Sequence, residues 1–253
     1  MRSSNGKAGL GAAIVTAALV AGSAASADCR DGARPGVDWH GCGKTSLLLT
    51  GSDLAGANLV KAMFTSTQLD GAKLVGARMA ETELTFARLD GADLSGADLN
   101  RAVGWRVNFK GAKLGKAQLD TAQLIRSSFQ GADMAGANLA KAELNRSDLR
   151  NANLAGAVLA KGELARVDFS GANLEGADLA WANVSRAKLG GAKLAGAAFG
   201  GAYLLKTQFA GADLSGTTGL VQAQLDIACG SKSTKLPPGL VVPKSWPCGE
   251  EDD

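Results

Sequence analysis

The most regular chemical feature of the sequence is a series of cationic side chains spaced twenty residues apart. The series consists of Arg106, Arg126, Arg146, Arg166, Arg186 and Lys206. If the fold stacks residues twenty apart, these side chains form one basic ladder that attracts an anionic polymer, a lipid headgroup or an acidic partner. Because stacked like charges repel, we expect carboxylates to offset the middle of the ladder, namely Glu143, Asp148, Glu163 and Asp168. The simpler alternative is a solvated, partly paired corner without a ligand.

Residues suited to catalysis are scarce. The sequence contains one histidine, His40, and it lies outside the regular part of the chain. Glu143 and Glu163 are a stacked carboxylate pair, but we expect them on an outer wall without a pocket. No motif for a nucleophile or for cradling a phosphate is present, so we predict a non-enzymatic protein with no catalytic residues, metal or cofactor.

Four cysteines bracket the regular part of the chain. Cys29 and Cys42 precede it, and Cys229 and Cys248 follow it. An even number of cysteines in an exported chain favours disulfides. Three pairings are possible, and we favour the nearest one, Cys29–Cys42 and Cys229–Cys248. A metal site is the weaker alternative, because only His40 lies near Cys42 and no C-x-x-C occurs.

The first 27 residues have the features of a signal peptide. Arg2 and Lys7 precede an apolar run, Ala8 to Ala27, that ends in a small-x-small cleavage site at residues 25–27. An uncleaved membrane anchor is the alternative. We therefore expect an exported protein, periplasmic or secreted. Without residues 1–27 the chain has 25 basic and 24 acidic residues, a net charge of +1 that argues against nucleic-acid binding.

A period of five residues runs through the middle of the chain. Every fifth residue from Leu54 to Leu214 is Leu, Met, Phe or Val, except Gly104, and the residue two before it is most often Ala. A period of five would smear an apolar stripe around an α-helix, and it would flip faces on a continuous strand. Each unit must therefore be a short extended piece followed by a corner, and the chain must coil.

The corner residues show how many units make one turn of the coil. Two residues after each apolar centre, two columns are mostly glycine, one contains the basic ladder, and one is mixed and mostly charged. Each kind of corner residue recurs only every twenty residues, which is four units of five. One turn of the coil therefore has four walls. Glycine suggests a positive φ at its corners, and we expect the two charged columns to turn differently.

The motif A-(D/N)-L-x-x, as in residues 92–96, resembles the pentapeptide-repeat family. The resemblance implies an all-β fold, a right-handed quadrilateral parallel β-helix, with the central Leu or Phe and the preceding Ala inside. About eight coils at a spacing of about 4.8 Å would form a rod about 40 Å long. Some cytoplasmic members resemble DNA and protect DNA gyrase from quinolones, but the export signal, the cysteines and the near-neutral charge oppose that function here.

The ends of the rod need covers, because open ends expose apolar side chains and strand edges. We predict an N-terminal cap at 28–50, the β-helix at 51–216, and a capping helix with a Pro-rich tail at 217–253, the helix covering roughly residues 218–228. With both ends capped, a monomer is expected. At Gly104 the inward side chain is missing, so either Val103 or Trp105 fills the gap or a void remains.

Two hypotheses for function follow besides the gyrase-protecting one. In the first, the rod is an exported structural or interaction module whose rigid walls bind another protein at the cell envelope. In the second, the basic ladder binds an anionic envelope polymer or a lipid headgroup. Nothing in the sequence identifies the partner, and we expect no nucleic acid.

The inward assignment is testable with one substitution. We expect Leu139→Asp to unfold the middle of the rod, because it places a carboxylate among apolar side chains without a partner. Thermal unfolding followed by circular dichroism measures this. A melting transition like that of the unmodified protein would contradict the assignment.

Overall fold

A computed structural model describes residues 28–248 of the chain. The predicted signal peptide, 1–27, and residues 249–253 lie outside the described part. The backbone winds into a coil in which residues twenty apart pair through parallel bridges. One column of paired residues begins with Asp38 and Asn58 and continues at this interval to Ala198 and Thr218.

The coil is held by a backbone pattern that repeats in each five-residue unit. In the unit 58–62, the amide of Asn58 donates to the coil before it, and the amides of Leu59 and Lys61 donate to the coil after it. The amide of Ala62 closes the corner by donating to the carbonyl oxygen of Leu59 at 2.9 Å. Four of the five amides are thereby bonded, which satisfies the backbone of a chain with little regular secondary structure.

Few of the paired segments are long enough to be strands. Strand β1 is Val103–Trp105 and strand β2 is Gln123–Ile125. They pair in parallel, with Val103 opposite Gln123. Elsewhere the extended part of each unit forms an isolated bridge, because a corner follows after two or three residues. Helix α1 is Gln222–Asp226.

The interior contains the apolar centres and the small residues that precede them. Leu139 and Leu159 are fully buried, as are the alanines Ala137 and Ala157. Aromatic side chains of successive coils also meet inside the rod. The rings of Phe109 and Phe129 stack with their centroids 4.8 Å apart. Consecutive coils therefore bury each other's side chains, and each coil depends on its neighbours.

All four corners turn in the same way, and the prediction that the charged columns would differ was wrong. Between residues 28 and 248, eighteen residues other than glycine have a positive φ between 55° and 61°, including Lys61, Arg146 and Trp181. The left-handed region costs about 1–2 kcal/mol for such a residue. The coil-to-coil hydrogen bonds impose the turn, and a Cβ at corner glycines such as Gly91 and Gly131 would meet nothing within 4 Å. A side chain at such an open corner therefore points away from the coil.

The missing side chain at Gly104 is replaced by a neighbour that we had not considered. A Cβ at Gly104 would lie 2.5 Å from Cγ2 of Val107 and 3.2 Å from Cβ of Leu84. Val107 stands where most units have Ala, and it is 1% exposed. Val103 and Trp105 are both only partly buried. The larger side chain at 107 thus fills the space that glycine leaves at 104.

The N-terminal segment 28–50 takes part in the coil. Asp38 already pairs with Asn58, so the parallel backbone pairing between coils extends into the segment that we predicted as a cap. Trp39 is 1% exposed, and its indole N–H donates to the carbonyl oxygen of Asp31 at 3.1 Å. The Lys44 ammonium lies 3.7 Å from the centre of the Trp39 ring, and burial lowers the pKa of Lys44. This packing covers the first coil.

The C-terminal end is covered by α1 and by the segment that follows it. The buried Gln224 side chain donates to the carbonyl oxygens of Phe199 and Ala202 at 2.9 and 2.8 Å. The Ala202 carbonyl oxygen stands where Ala182, one coil earlier, accepts the amide of Tyr203, whereas the Phe199 carbonyl oxygen also accepts the corner amide of Ala202. Trp246 is 6% exposed, and its indole N–H donates to the carbonyl oxygen of Ala228 at 2.7 Å.

Because the Val107 side chain fills the space beside Gly104, substitutions at these two positions should compensate for each other. We expect Gly104→Ala to lower the free energy of unfolding by about 1–3 kcal/mol, because the new methyl group overlaps Val107. Adding Val107→Ala removes the overlapping atom, so the double variant should be more stable than Gly104→Ala alone. Denaturant unfolding measures both.

The control for this experiment is Gly115→Ala. The nearest atom to a Cβ at Gly115 is 3.9 Å away, so this substitution should not destabilise the protein. Additive effects of the two substitutions at 104 and 107 would contradict the proposed filling of the gap.

Candidate functional site

The structure brings the basic ladder together on one straight corner of the coil. Arg106, Arg126, Arg146, Arg166 and Arg186 are all exposed, and Lys206 is half-buried. Each of the six backbone amides donates to a carbonyl oxygen in the coil that follows, as from Arg146 to Ala165 at 2.9 Å. Successive side chains are therefore anchored at the coil spacing, which is about 4.8 Å for parallel strands.

The expectation that nearby carboxylates offset the middle of the ladder was wrong. Glu143 accepts a hydrogen bond from Gln123 at 3.0 Å, and Glu163 accepts one from Asn183 at 2.8 Å. Asp148 binds Arg150 through two hydrogen bonds of 2.9 and 2.7 Å. These groups lie on the walls, and their nearest donors are on the same walls.

The ladder arginines are left without carboxylate partners. Within residues 28–248, Arg146, Arg166 and Arg186 make no ion pair and no side-chain hydrogen bond. The neighbouring corner behaves differently, since Glu81 lies 3.6 Å from Lys61 and 3.7 Å from Arg101. Stacked arginines that lack carboxylate partners among residues 28–248 create a positive potential along one edge of the rod.

Two aromatic rings extend the ladder at its N-terminal end. Phe86 occupies the corner one coil before Arg106 and is 45% exposed. Its ring packs edge-on against Trp105, with the centroids 5.3 Å apart. The guanidinium groups of Arg106 and Arg126 lie 4.1 and 6.0 Å from the centre of the Trp105 ring. We call these four residues the aromatic–arginine cluster.

Our sequence analysis missed this cluster. Phe86 stands in the same column as the arginines, which was a visible signal, but Trp105 had been considered only as a filler for the gap at Gly104. The ring lies outside because Val107 already occupies that gap. The aromatic ring and the two guanidinium groups then stack on the surface, where cation–π contacts are favourable.

At its C-terminal end the ladder borders a groove. The groove has a volume of about 1130 Å³ and lies between the last coils and the C-terminal cover. Its charged lining consists of Arg166, Asp168, Arg186, Lys188, Lys206 and Asp226. Cys248 and the disulfide partner Cys229 line it from the other side. We call it the cap-side groove.

The four cysteines form the two disulfides of the nearest pairing, one at each end of the rod. The Cα atoms are 5.4 Å apart in Cys29–Cys42 and 5.5 Å apart in Cys229–Cys248. No group of three or more His, Cys, Asp or Glu side chains within residues 28–248 is placed to hold a metal ion. His40 is exposed in the first coil.

A coil of four walls, closed by covers and carrying a cationic corner, defines a β-helical solenoid protein. Two family models match the chain, "Pentapeptide repeat region" at residues 105–179 and "Pentapeptide repeats (8 copies)" at residues 48–80 and 182–218. The chain belongs to the pentapeptide-repeat family, and the fold is the right-handed quadrilateral β-helix that the resemblance implied.

Two solved structures illustrate the likeness. HetL, a pentapeptide repeat protein involved in heterocyst differentiation regulation from Nostoc sp. strain PCC 7120, is 30% identical, with a TM-score of 0.49 over 82% of this chain and 92% of HetL. Trypsin-treated QnrB1, a plasmid-mediated fluoroquinolone resistance protein, is 19% identical, with a TM-score of 0.58 over 78% of this chain and 92% of QnrB1. No curated protein matches the chain significantly.

The comparison with QnrB1 supports the fold alone, since the identity is low. Between residues 28 and 248, the structure contains no helix that is long and apolar enough to cross a membrane.

Arg146 and Arg150 differ in their carboxylate partners, so replacing each should affect the stability of the protein differently. We expect Arg150→Gln to lower the melting temperature at pH 7, whereas Arg146→Gln should leave it unchanged. The reason is that Arg150 binds Asp148, whereas Arg146 binds no carboxylate of residues 28–248. Thermal unfolding of the two variants measures the difference.

The ion pair between Arg150 and Asp148 also makes the stability of the protein depend on pH. The hydrogen bonds from Arg150 lower the pKa of Asp148 below its ordinary value of 3.8. The stabilising effect of the Asp148 carboxylate is therefore fully present above pH 3.8, and it is lost as the pH falls below that value. The effect of Arg150→Gln should shrink between pH 4 and pH 2. A loss of stability in Arg146→Gln at pH 7 would contradict the conclusion that Arg146 has no ion-pair partner among residues 28–248.

Proposed function

We propose that this protein is an exported, non-enzymatic solenoid that binds another protein along the corner formed by the aromatic–arginine cluster and the basic ladder. One observation carries the proposal. On a single edge of a rigid rod, the exposed ring of Phe86 and the half-buried ring of Trp105 are followed by a row of arginines without carboxylate partners among the described residues.

The composition of this corner favours a protein as the partner. Tryptophan and arginine are the residue types most enriched among those that dominate binding energy at protein interfaces. In the cluster, Trp105 and Phe86 supply apolar area, while Arg106 and Arg126 stack on the indole and keep donors available. A partner that fits has an apolar or aromatic anchor next to an acidic stretch.

The rigidity of the site also favours binding. Each of the six ladder amides is bonded to the next coil, so the backbone beneath the ladder is ordered before a partner arrives. A preorganised surface loses less conformational entropy on association than a mobile one. The solenoid is thus suited to present side chains at fixed intervals.

Several features support export. The two disulfides at the ends of the rod are typical of an oxidising compartment. Residues 1–27 have the charge, the apolar run and the cleavage site of a signal peptide. We therefore place the protein in the periplasm or outside the cell, acting as a monomer because both ends are covered.

The absence of an enzymatic role is part of the proposal. Glu143 and Glu163 accept hydrogen bonds from amide side chains on an outer wall, and His40 is exposed at one end. A fluoroquinolone-resistance function like that named for QnrB1 is not proposed. The net charge of +1 outside residues 1–27 and the cationic corner are unlike the acidic surface of DNA.

An anionic envelope polymer or a lipid headgroup is the second candidate for the partner. The observation in its favour is that Arg146, Arg166 and Arg186 are exposed and without carboxylate partners among residues 28–248. Such a ligand would need the arginines alone, whereas a protein partner would also need Phe86 and Trp105.

A pull-down distinguishes these candidates. The processed, tagged protein is cross-linked in its native envelope fraction, and we expect it to recover one protein in stoichiometric amount. The triple variant Arg106→Gln, Arg126→Gln and Arg186→Gln should reduce recovery at least tenfold. So should Trp105→Ala, because the cluster anchors the partner.

The matched control is the neighbouring corner, with Lys61→Gln, Arg101→Gln and Lys141→Gln. It removes the same charge from the same rod and should leave recovery unchanged. Recovery of only salt-labile glycan or lipid would favour the second candidate. Equal recovery by the triple variant and the wild type would refute a role for the ladder.

A further inference from the structure

An exposed tryptophan interrupts the charged corner column that neighbours the basic ladder. In this column, Lys141 and Lys161 are followed by Trp181 and Gly201. Trp181 is 68% exposed, more than any other aromatic side chain of residues 28–248. Its indole N–H donates no hydrogen bond to a described residue. The ring therefore lies outside the core and carries a donor that the described part of the chain does not use.

Gly201 allows the Trp181 ring to lie flat on the corner. A Cβ at residue 201 would be 2.6, 2.7 and 2.8 Å from Cε3, Cδ2 and Cζ3 of the ring. These ring atoms are consecutive, and a point outside the ring is nearly equidistant from all three only if it lies over the ring face. One face of the indole thus covers the backbone at Gly201, and the opposite face points outward. Only glycine leaves room for this close approach.

The wall beside the ring supplies polar groups. Glu163, Asn183 and Tyr203 follow one another there through parallel bridges. Asn183 donates to Oε2 of Glu163 at 2.8 Å, and Oε1 of Glu163 has no partner among the described residues. Tyr203 is 49% exposed, and its hydroxyl group has no partner among residues 28–248 either. We call Trp181, Gly201, Glu163, Asn183 and Tyr203 the tryptophan platform.

The area of the platform is too small for a stable protein interface. With exposures of 68% and 49%, Trp181 and Tyr203 together present at most about 300 Å². Val221, twenty residues after Gly201, is 54% exposed and adds a smaller area. A stable protein interface needs about 800 Å² on each partner.

The charge and the flatness of the platform also exclude two other kinds of partner. The opposite charges of Lys161 and Glu163 offset each other, so the platform does not attract a polyanion such as a nucleic acid. Binding to a membrane surface requires apolar side chains that reach about 5–10 Å into the lipid boundary. The Trp181 ring lies flat on the backbone and does not project that far.

A saccharide chain matches both the ring and the polar wall. A pyranose unit has an apolar face of C–H groups and a rim of hydroxyl groups. The C–H groups are attracted to the negative face of an aromatic ring, and the hydroxyl groups donate strong hydrogen bonds to a carboxylate. A β-1,4-linked chain with equatorial substituents, as in polymers of glucose or N-acetylglucosamine, is flat and presents such a C–H face on every unit.

We propose that the tryptophan platform binds a β-1,4-linked saccharide chain. One unit stacks on the outward face of Trp181, and the indole N–H donates to a hydroxyl group at the edge of the ring. The chain continues onto the adjoining wall, where Tyr203 and the Asn183–Glu163 pair contact the next units. Residues 201 and 203 are about 7 Å apart along the extended backbone, so the two aromatic rings contact neighbouring units. The platform lies on a different corner from the aromatic–arginine cluster and leaves that cluster open to a protein.

Isothermal titration calorimetry of the full-length protein tests the proposal, with cellohexaose and N-acetylchitohexaose as probes. We expect saturable binding of at least one probe, and at least tenfold weaker binding by Trp181→Ala. Because the probes are uncharged, the affinity should persist in 1 M salt, where charges are screened beyond about 3 Å. Absence of binding by both probes at millimolar concentration, or loss of binding in 1 M salt, would overturn the proposal.

A second tryptophan outside the core supplies the matched control. Trp105→Ala removes the same ring from the adjacent corner and should leave the affinity for the saccharide unchanged. The melting temperature of Trp181→Ala should equal that of the unmodified protein, because the ring lies outside the core. Equal losses of affinity in Trp105→Ala and Trp181→Ala would refute a specific platform.

The role of Gly201 as a positioning residue is tested with Trp181 still present. In Gly201→Ala the new methyl group occupies the space of the ring and displaces it, so the affinity should fall at least threefold. Gly211→Ala is the control, because Gly211 also has a positive φ, of 72°, and a Cβ there would meet nothing within 4 Å. Equal affinities of these two variants would contradict the flat arrangement.

The other partners of an exposed ring are outcomes of the same series. Self-association in sedimentation, or binding to vesicles of phosphatidylcholine and phosphatidylglycerol, that is lost in Trp181→Ala would assign the ring to a second copy or to a membrane and overturn the proposal. The result is independent of the pull-down. Saccharide binding with unchanged recovery of the protein partner by the ladder variants would refute the proposed function alone, and reduced recovery without saccharide binding would refute the platform alone.

Discussion

The structure depends on one constraint, the pairing of each residue with the residue twenty positions further along. This register places three amides of every five-residue unit on the neighbouring coils, while the fourth closes the corner. It also stacks residues of the same type on each other, so Leu139 lies over Leu159 and Ala137 lies over Ala157. A single inserted residue would shift every following wall. The regularity of the sequence is therefore a consequence of backbone pairing, and the interior follows from it.

The same constraint explains why the surface is free to vary. Corner residues receive their positive φ from the hydrogen bonds on either side, so glycine, lysine, arginine and tryptophan all occupy such positions. Their side chains project into solvent and contribute little to the fold. One edge of the rod can therefore carry a row of arginines with an aromatic end. The stability of the coil and the binding properties of that edge are set by different atoms, and selection can change one without the other.

The ends of the rod obey a different rule, since each terminal coil lacks a neighbour on one side. At the C-terminal end the side chain of Gln224 donates to the carbonyl oxygen of Ala202, which an amide of a next coil would otherwise bond, and also to that of Phe199. At the N-terminal end Trp39 and Lys44 cover the opening. Disulfides hold both covers. The C-terminal cover also creates the cap-side groove, so the place where the repeat stops is where the cationic edge gains a concave surface.

The sequence by itself determined the four walls, the inward Leu, Phe and Ala, and the alignment of the ladder, because these depend only on a period that is visible in the residue types. The tertiary structure alone decided which side chains meet across that frame. Val107 fills the space at Gly104, Asp148 binds Arg150 and not Arg146, and Trp105 lies outside beside Phe86. Which of several chemically equivalent neighbours a side chain contacts depends on distances of 2–4 Å. The pattern of residue types along the sequence does not contain those distances.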